Sequence, residues 1–419
     1  MRLVHTRPRG GLVTGAMAVL AVACSLVAGC GGGEATGASP GGAGAGPAGD
    51  GSNISCPVPD GPIAVAVSGR ANSPAPVLPP VADRIVSEAA EQVSIDGTGP
   101  RLTLVSIDGR PEPLGSAAFT PRSQNDIAVS RERRRFLESF RQSVAEVRAK
   151  APEVNDLAAL DLAARAAHEG TKPGTVVFVD SGLQTVEPLD FRQPGVLDAD
   201  PVEVVNFLKR TGAVPDLSGL TVIFSGIGDT APPQKALDVA RRERLATLWT
   251  EIAKAGGANC VQVDSEPRGG AAPNEVPAVG TVPVPPPPVP DFSALSTTVL
   301  PDNDTVGFLP GKAVLRDPQA AAEVLRPFAD WLLANRSRHV ELTGTTARFG
   351  DLAGQIELAT RRAEAIKQVL VDLGVDPAQI TTRGVGSQFP EYVNDQASDG
   401  TLLPGPAAAN RTVRIDPIE

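Results

Sequence analysis

The sequence predicts an α/β protein of two domains. One is a doubly wound parallel sheet with helices on both faces over residues 56–266; the other is a smaller α/β domain over residues 297–416. Three observations predict this. Short runs rich in Val and Ile alternate with amphipathic helical stretches in the first region, as strands covered on both faces do. One long helical stripe sits between strand-like runs in the second. A Gly/Ala/Ser/Pro tract (30–55) precedes the first region, and a Pro-rich segment (267–296) ending in "VPVPPPPVPD" separates the two.

The chain opens with Arg2, Arg7 and Arg9 and an apolar run from Gly15 to Ala28. This is the charged-then-apolar order of an export signal, and the run is too short for a permanent span. "LVAGC" at 26–30 resembles a bacterial lipobox. The resemblance implies that residues 1–29 are a signal peptide removed before Cys30, and that Cys30 carries a diacylglyceryl group and an added acyl chain such as palmitate. Several chains make a stable membrane anchor. The rest of the chain is then expected outside the cytoplasm, lipid-anchored in the cell envelope at an outer membrane or the outer face of the cell membrane. Residues 31–55 have almost nothing to bury and are expected to form a flexible tether reaching roughly 25–30 Å. The polyproline segment is expected to be an extended, semi-rigid spacer.

Formal net charge is -10, and loss of Arg2, Arg7 and Arg9 makes it -13. Such a chain is a poor partner for nucleic acid or anionic lipid surfaces. Arg131, Arg133, Arg134 and Arg135 read as the solvated face of a helix. Beyond Cys24 and Cys30, only Cys56 and Cys260 remain, and in an oxidising compartment they are expected to pair. The chain-entropy gain of so long a loop is on the order of 4–5 kcal/mol; two buried free thiols are the alternative.

In the first region the strand candidates are "IAVAVSG" (63–69), "LTLVSIDG" (102–109), "TVVFVDSG" (175–182), "LTVIFSGIG" (220–228) and "CVQVD" (260–264). Helical spacing joins Phe136, Phe140, Val144 and Val147, and again Leu245, Leu248 and Ile252 before Gly256-Gly257. Ligands of such sheets bind beyond the carboxyl ends of the strands. The polar residues expected there are Ser68, Asp108, Asp180, Ser181, Ser225 and Asp229. The element order and "VVFVDSG" weakly resemble a von Willebrand factor A domain, whose metal motif is Asp-x-Ser-x-Ser. Here Ser68-Gly69-Arg70-Ala71-Asn72 stands in its place, so no metal is expected. No cofactor is expected either. His5 lies in the leader, His168 and His339 have no recognisable partner, no Ser or Cys sits in a nucleophile motif, and nothing specific supports Asp180 as a base. A non-enzymatic protein is therefore expected.

In the second region, 298–317 reads as an extended segment and turn, 318–336 as a helix and "HVELTGTT" (339–346) as a strand. Leu352, Ile356, Ala359, Ala363, Ile366, Leu370 and Leu373 form one buried helical stripe, which Asp351 caps and Gly374 follows. "AQITTRGVGSQFP" (378–390) and "NRTVRI" (410–415) hold the remaining strands. Four motifs stand in order: Gly344-Thr345-Thr346-Ala347, Leu358-Ala359-Thr360-Arg361-Arg362-Ala363, Gly384-Val385-Gly386 and Asn410-Arg411-Thr412-Val413. Residues 297–416 thereby resemble the OmpA-like domain of cell-envelope proteins. The resemblance implies non-covalent peptidoglycan binding. A loop aspartate would take the ammonium of a stem-peptide diaminopimelate, and a helix arginine its carboxylate. On the matching positions it puts Thr346, Ala347, Arg362, Asn410 and Arg411 at the ligand.

Arg362 fills the cation role, since a guanidinium fork suits a carboxylate. The anion position is Ala347. On the helix, Asp351, Gln355, Leu358 and Arg362 share a face, but Asp351 is about 16 Å from Arg362 along the axis, and Glu357 points roughly 140° away. Loss of one charge-assisted hydrogen bond, about 1.5–3 kcal/mol, weakens binding by about 10- to 150-fold. Two readings follow. In one, an envelope lipoprotein tethers or organises the envelope by weakened peptidoglycan binding. In the other, the domain no longer binds peptidoglycan and serves as a scaffold for other envelope proteins. The first needs Arg362 exposed in a groove beside Thr346; the second, an apolar exposed patch elsewhere.

Overall fold

Strand β1 (Ile63–Ser68) is wholly buried, as its unbroken Ile-Ala-Val-Ala-Val run requires. The computed structural model describes residues 54–286, 289–292, 295–302 and 305–418. The leader and Cys30 lie outside the described residues. After β1 come α1 (Pro80–Glu91), β2 (Arg101–Ile107), β3 (Pro113–Ala118), α2 (Asp126–Ala145), α3 (Asp156–His168), β4 (Thr175–Val179), α4 (Pro201–Arg210), β5 (Thr221–Ser225), α5 (Val239–Ala255) and β6 (Cys260–Asp264). The sheet runs β3-β2-β1-β4-β5-β6, parallel except for the antiparallel β2–β3 pair. One core packs α3, α4 and α5 on one face, and a second packs α1 and α2 on the other. The predicted doubly wound sheet is therefore present, with an added edge. Strand β3 is exposed and reads Pro-Leu-Gly-Ser-Ala-Ala, so it carries no hydrophobic period to announce it.

Cys56 and Cys260 form the expected disulfide, which ties the entry of the domain to β6. The Pro-rich segment is extended but does not stand off in solvent. Val279 and Val282 join the first core, Gln234 exchanges hydrogen bonds with the backbone of Val282, and Asn72 donates to the Val279 carbonyl. Apolar Val residues between the prolines let the strap bury one side, and composition alone had not shown that.

The second domain comprises β7 (Thr298–Pro301), α6 (Pro318–Leu333), β8 (His339–Thr345), α7 (Leu352–Asp372), β9 (Ile380–Gly386), α8 (Pro404–Asn410) and β10 (Thr412–Ile418). Its sheet runs β7-β10-β8-β9, with β8–β9 parallel and the rest antiparallel. The α7 stripe packs directly on β8 and β9. A Cβ on Gly344 would lie 2.0 Å from the Ala359 carbonyl oxygen, and one on Gly384 2.4 Å from the Thr360 nitrogen. Only glycine permits this approach, which sets α7 against the strand that feeds the loop.

The described residues cluster as one unit. Ala408 of α8 is part of the first domain's core, and Gly405 meets Gly195 so closely that a Cβ on Gly195 would lie 2.2 Å from the Gly405 oxygen. Among the described residues no helix is long and apolar enough to cross a membrane.

Candidate functional site

The loop after β8 is held from three sides. Thr346 N–H donates to the Gly386 carbonyl at 2.9 Å, Gln355 of α7 donates to the Gly350 carbonyl at 3.1 Å, and Arg348 N–H donates to Asp395 at 2.8 Å. Asp351 caps α7 through Gly354 N–H at 2.7 Å, as its position before the stripe predicts. The loop and the first turns of α7 wall a cavity of about 180 Å³. Thr346, Ala347, Gln355, Leu358, Arg362 and Arg411 line it, with the exposed ring of Phe349 at its lip.

Arg362 is only 4% exposed, whereas the wall-binding reading calls for it exposed in a groove beside Thr346. Its Nε donates to the Lys312 carbonyl at 3.1 Å, its Nη1 lies 3.5 Å from Asp302, and its guanidinium stands over the Phe308 ring at 5.0 Å. The segment before α6 folds over the arginine, which a strand-and-turn reading could not foresee. Burial pushes the Arg362 pKa down; Asp302 opposes this, Arg411 and Arg316 add to it, and Glu203 opposes it. An arginine remains a cation in such surroundings.

Asn410 is elsewhere. Its Oδ1 accepts from Val393 N–H at 2.9 Å, and its Nδ2 donates to the Val393 carbonyl and to Asp395. It clamps the 393–395 loop and does not line the cavity. Wholly buried, with both ends of its amide engaged, it serves the loop. Arg411 does line the cavity, and it forms a bidentate pair with Glu203 of α4 at 2.8 and 2.6 Å. Asp200, the N-cap of α4, also reaches the wall, with its Oδ2 3.9 Å from Arg316. Sequence reasoning missed these two acids. Asp200 before Pro201 is a legible helix start, but nothing in the sequence places that helix beside the far domain's loop.

In the first domain, β1 and β4 flank the point where the strand order reverses. Arg70, Asp180 and Ser181 meet there and pair with one another, while Ser68 Oγ is buried with no hydrogen-bond partner among the described residues. Arg70 donates to both oxygens of Asp180, at 3.1 and 2.9 Å, and to Ser181 Oγ at 2.8 Å. The guanidinium thus takes the place a cation would hold on Asp180. Burial pushes Asp180 up, but the Arg70 charge and hydrogen bonds and the Gly182 N–H bring its pKa below the usual carboxylate range. Asp156, buried beside this pair, is pushed well up by burial and by the Asp180 charge. Asp108 accepts from three backbone N–H groups, Ser225 donates to Asp264, and Asp229 pairs with Arg242. His168 Nε2 lies 3.1 Å from the Ser218 carbonyl, away from these strand ends. Among the described residues no cluster of His, Cys, Asp or Glu could hold a metal ion.

A four-stranded α/β domain with a charged cavity between the loop after β8 and helix α7 is thus the class that fold and site define. Comparison with known proteins finds an OmpA family domain at the C-terminus, matched over residues 307–400. An 88-residue stretch, 21% of the chain, is 36% identical to outer membrane porin F of Pseudomonas fluorescens, and the match spans 26% of that relative's length. Among solved structures the chain is similar to the peptidoglycan-associated lipoprotein from Burkholderia pseudomallei. Identity is 22%, coverage 29% of this chain and 89% of that one, and the TM-score 0.23. The periplasmic domain of Helicobacter pylori MotB matches at 23% identity, with 29% and 74% coverage and a TM-score of 0.23. The OmpA-like domain of FopA1 from Francisella tularensis matches at 19%, with 29% and 70% coverage and a TM-score of 0.22.

Proposed function

We propose that the protein is a non-enzymatic envelope lipoprotein, anchored through Cys30, whose C-terminal domain holds peptidoglycan by the zwitterionic end of a stem-peptide diaminopimelate. The observation that carries this reading is the cavity itself: Thr346, Ala347 and the Arg362 cation line one space beside a loop fixed at both ends. Arg362 takes the ligand carboxylate. Its neighbours Lys312, Asp302 and Phe308 hold the fork in place, and although only 4% exposed the arginine still lines the cavity, where a carboxylate entering it would meet the cation. The membrane anchor raises the effective concentration of wall at the domain, so a modest intrinsic affinity suffices. The OmpA family match and the peptidoglycan association in the name of one similar structure support it.

The test is co-sedimentation of the chain from residue 31 onward with insoluble peptidoglycan. Wild type is expected to pellet, and Arg362→Ala to bind about 10- to 150-fold more weakly. Wild type that stays in solution would move the function to the scaffold reading.

A further inference from the structure

We propose that the first domain supplies the anion that the C-terminal loop lacks: Asp200 and Glu203, at the start of α4, complete the cavity as partners for an ammonium group on the ligand whose carboxylate Arg362 takes. The proposal rests on the wall-binding reading of this cavity and specifies which ligand end it selects.

Three observations carry it. The first is charge. The cavity wall holds three guanidinium groups, from Arg316, Arg362 and Arg411, and three carboxylates, from Asp200, Glu203 and Asp302. Without the two acids of α4, three cations face one anion, and a ligand ammonium would meet net repulsion in a space that solvent screens poorly. With them the wall is balanced and has both signs to offer. The partial positive charge at the N-terminus of α4 is small beside the two full negative charges standing on it.

The second is that the acids line the cavity and do not plug it. Glu203 is paired with Arg411, not with Arg362. Asp200 spends Oδ1 on the N–H groups of Val202 and Glu203, and its Oδ2 stands 3.9 Å from Arg316, beyond hydrogen-bond distance, on the same cavity wall. About 180 Å³ remains, room for several waters' worth of ligand. Thr346 Oγ1 is buried on the same wall with no hydrogen-bond partner among the described residues. A buried hydroxyl without a partner is costly, and a ligand amine or carboxylate would satisfy it.

The third is that α4 is fixed in place. Ala408 sits in the first domain's core, and the Gly195–Gly405 approach leaves no room for a side chain. The acids are therefore part of a built wall, and no domain movement is needed to bring them in.

The experiment is calorimetric binding of the chain from residue 31 onward to two soluble stem-peptide fragments. One ends in a diamino acid with its side-chain amine free; the other has that amine acetylated. Wild type is expected to bind the free-amine fragment about 10- to 150-fold tighter. The double variant Asp200→Asn, Glu203→Gln is expected to lose that preference. Asn keeps the helix cap, and an unchanged hydrodynamic radius and melting temperature establish that the domains remain docked. A double variant that keeps the preference, or binds the free-amine fragment tighter than wild type, overturns the proposal. So does a wild type indifferent to acetylation. In those cases a continued loss of binding in Arg362→Ala leaves the wall-binding reading standing. Failure of wild type to bind either fragment overturns that reading and the proposal together.

Discussion

Arg362 and Asp156 are both ionisable side chains withdrawn from water, and they resolve the cost in opposite ways. Arg362 cannot shed its proton, so it is surrounded by a carbonyl, a carboxylate and an aromatic face. Asp156 can take one up. Its carboxyl oxygens have no hydrogen-bond partner among the described residues, and Asp180 beside it is anionic. Its native pKa is raised above the ordinary carboxylate value, so the neutral form is the one that fits the fold. The sign follows by linkage. The stability tied to this proton is fully present below about pH 4, the ordinary carboxylate pKa, and is lost as pH rises through the higher native value. Asp156→Asn, neutral at every pH, is therefore expected to gain stability relative to wild type as pH rises from acid to neutral. Thermal melts across pH read this directly; a difference from wild type that stays constant with pH would contradict it. At this scale the helical spacing made the Gln355–Leu358–Arg362 face legible, because a 3.6-residue period fixes which side chains share a side. The role of Asn410 was not legible. An Asn before an Arg reads the same whether its amide faces a ligand or clamps the loop at 393–395.

Elements were legible where the pattern was strong and hidden where it was weak. The buried Val/Ile runs and the α7 stripe announced their strands and helix. Strand β3 lacks apolar alternation, and α8 opens with Pro-Gly-Pro, which reads as a breaker although proline is at home in a first helical turn. The disulfide joins the two ends of the first sheet's chain, Cys56 and Cys260, 204 residues apart. Replacing both by serine is expected to lower the stability of the oxidised protein by about 2–5 kcal/mol, read as a lower denaturation midpoint. Wild type under reducing conditions should shift the same way and the variant should not. Equal midpoints for oxidised wild type and variant would mean that packing alone closes that loop.

Across the whole molecule, the sequence suggested two bodies on two tethers, and the structure joins them. The Pro-rich strap lies along the first core, α8 enters that core, and Glu203 reaches the C-terminal cavity. None of this was legible, because an interface between segments about two hundred residues apart leaves no period or spacing. Docking changes what Ala347 means. Read on its own domain, the position is a lost charge; read in the assembled chain, it lines a cavity to which two acids from elsewhere in the chain already bring negative charge. The most direct test asks whether the anion is already supplied. Binding to insoluble peptidoglycan is measured for the chain from residue 31 onward as wild type, Ala347→Asp, Asp200→Asn with Glu203→Gln, and all three changes together. The account predicts that Ala347→Asp adds little to wild type but restores binding to the chain lacking the two acids. If Ala347→Asp instead tightens wild type by about tenfold or more, while removal of Asp200 and Glu203 changes nothing, the anion site is vacant in this protein and the account is wrong.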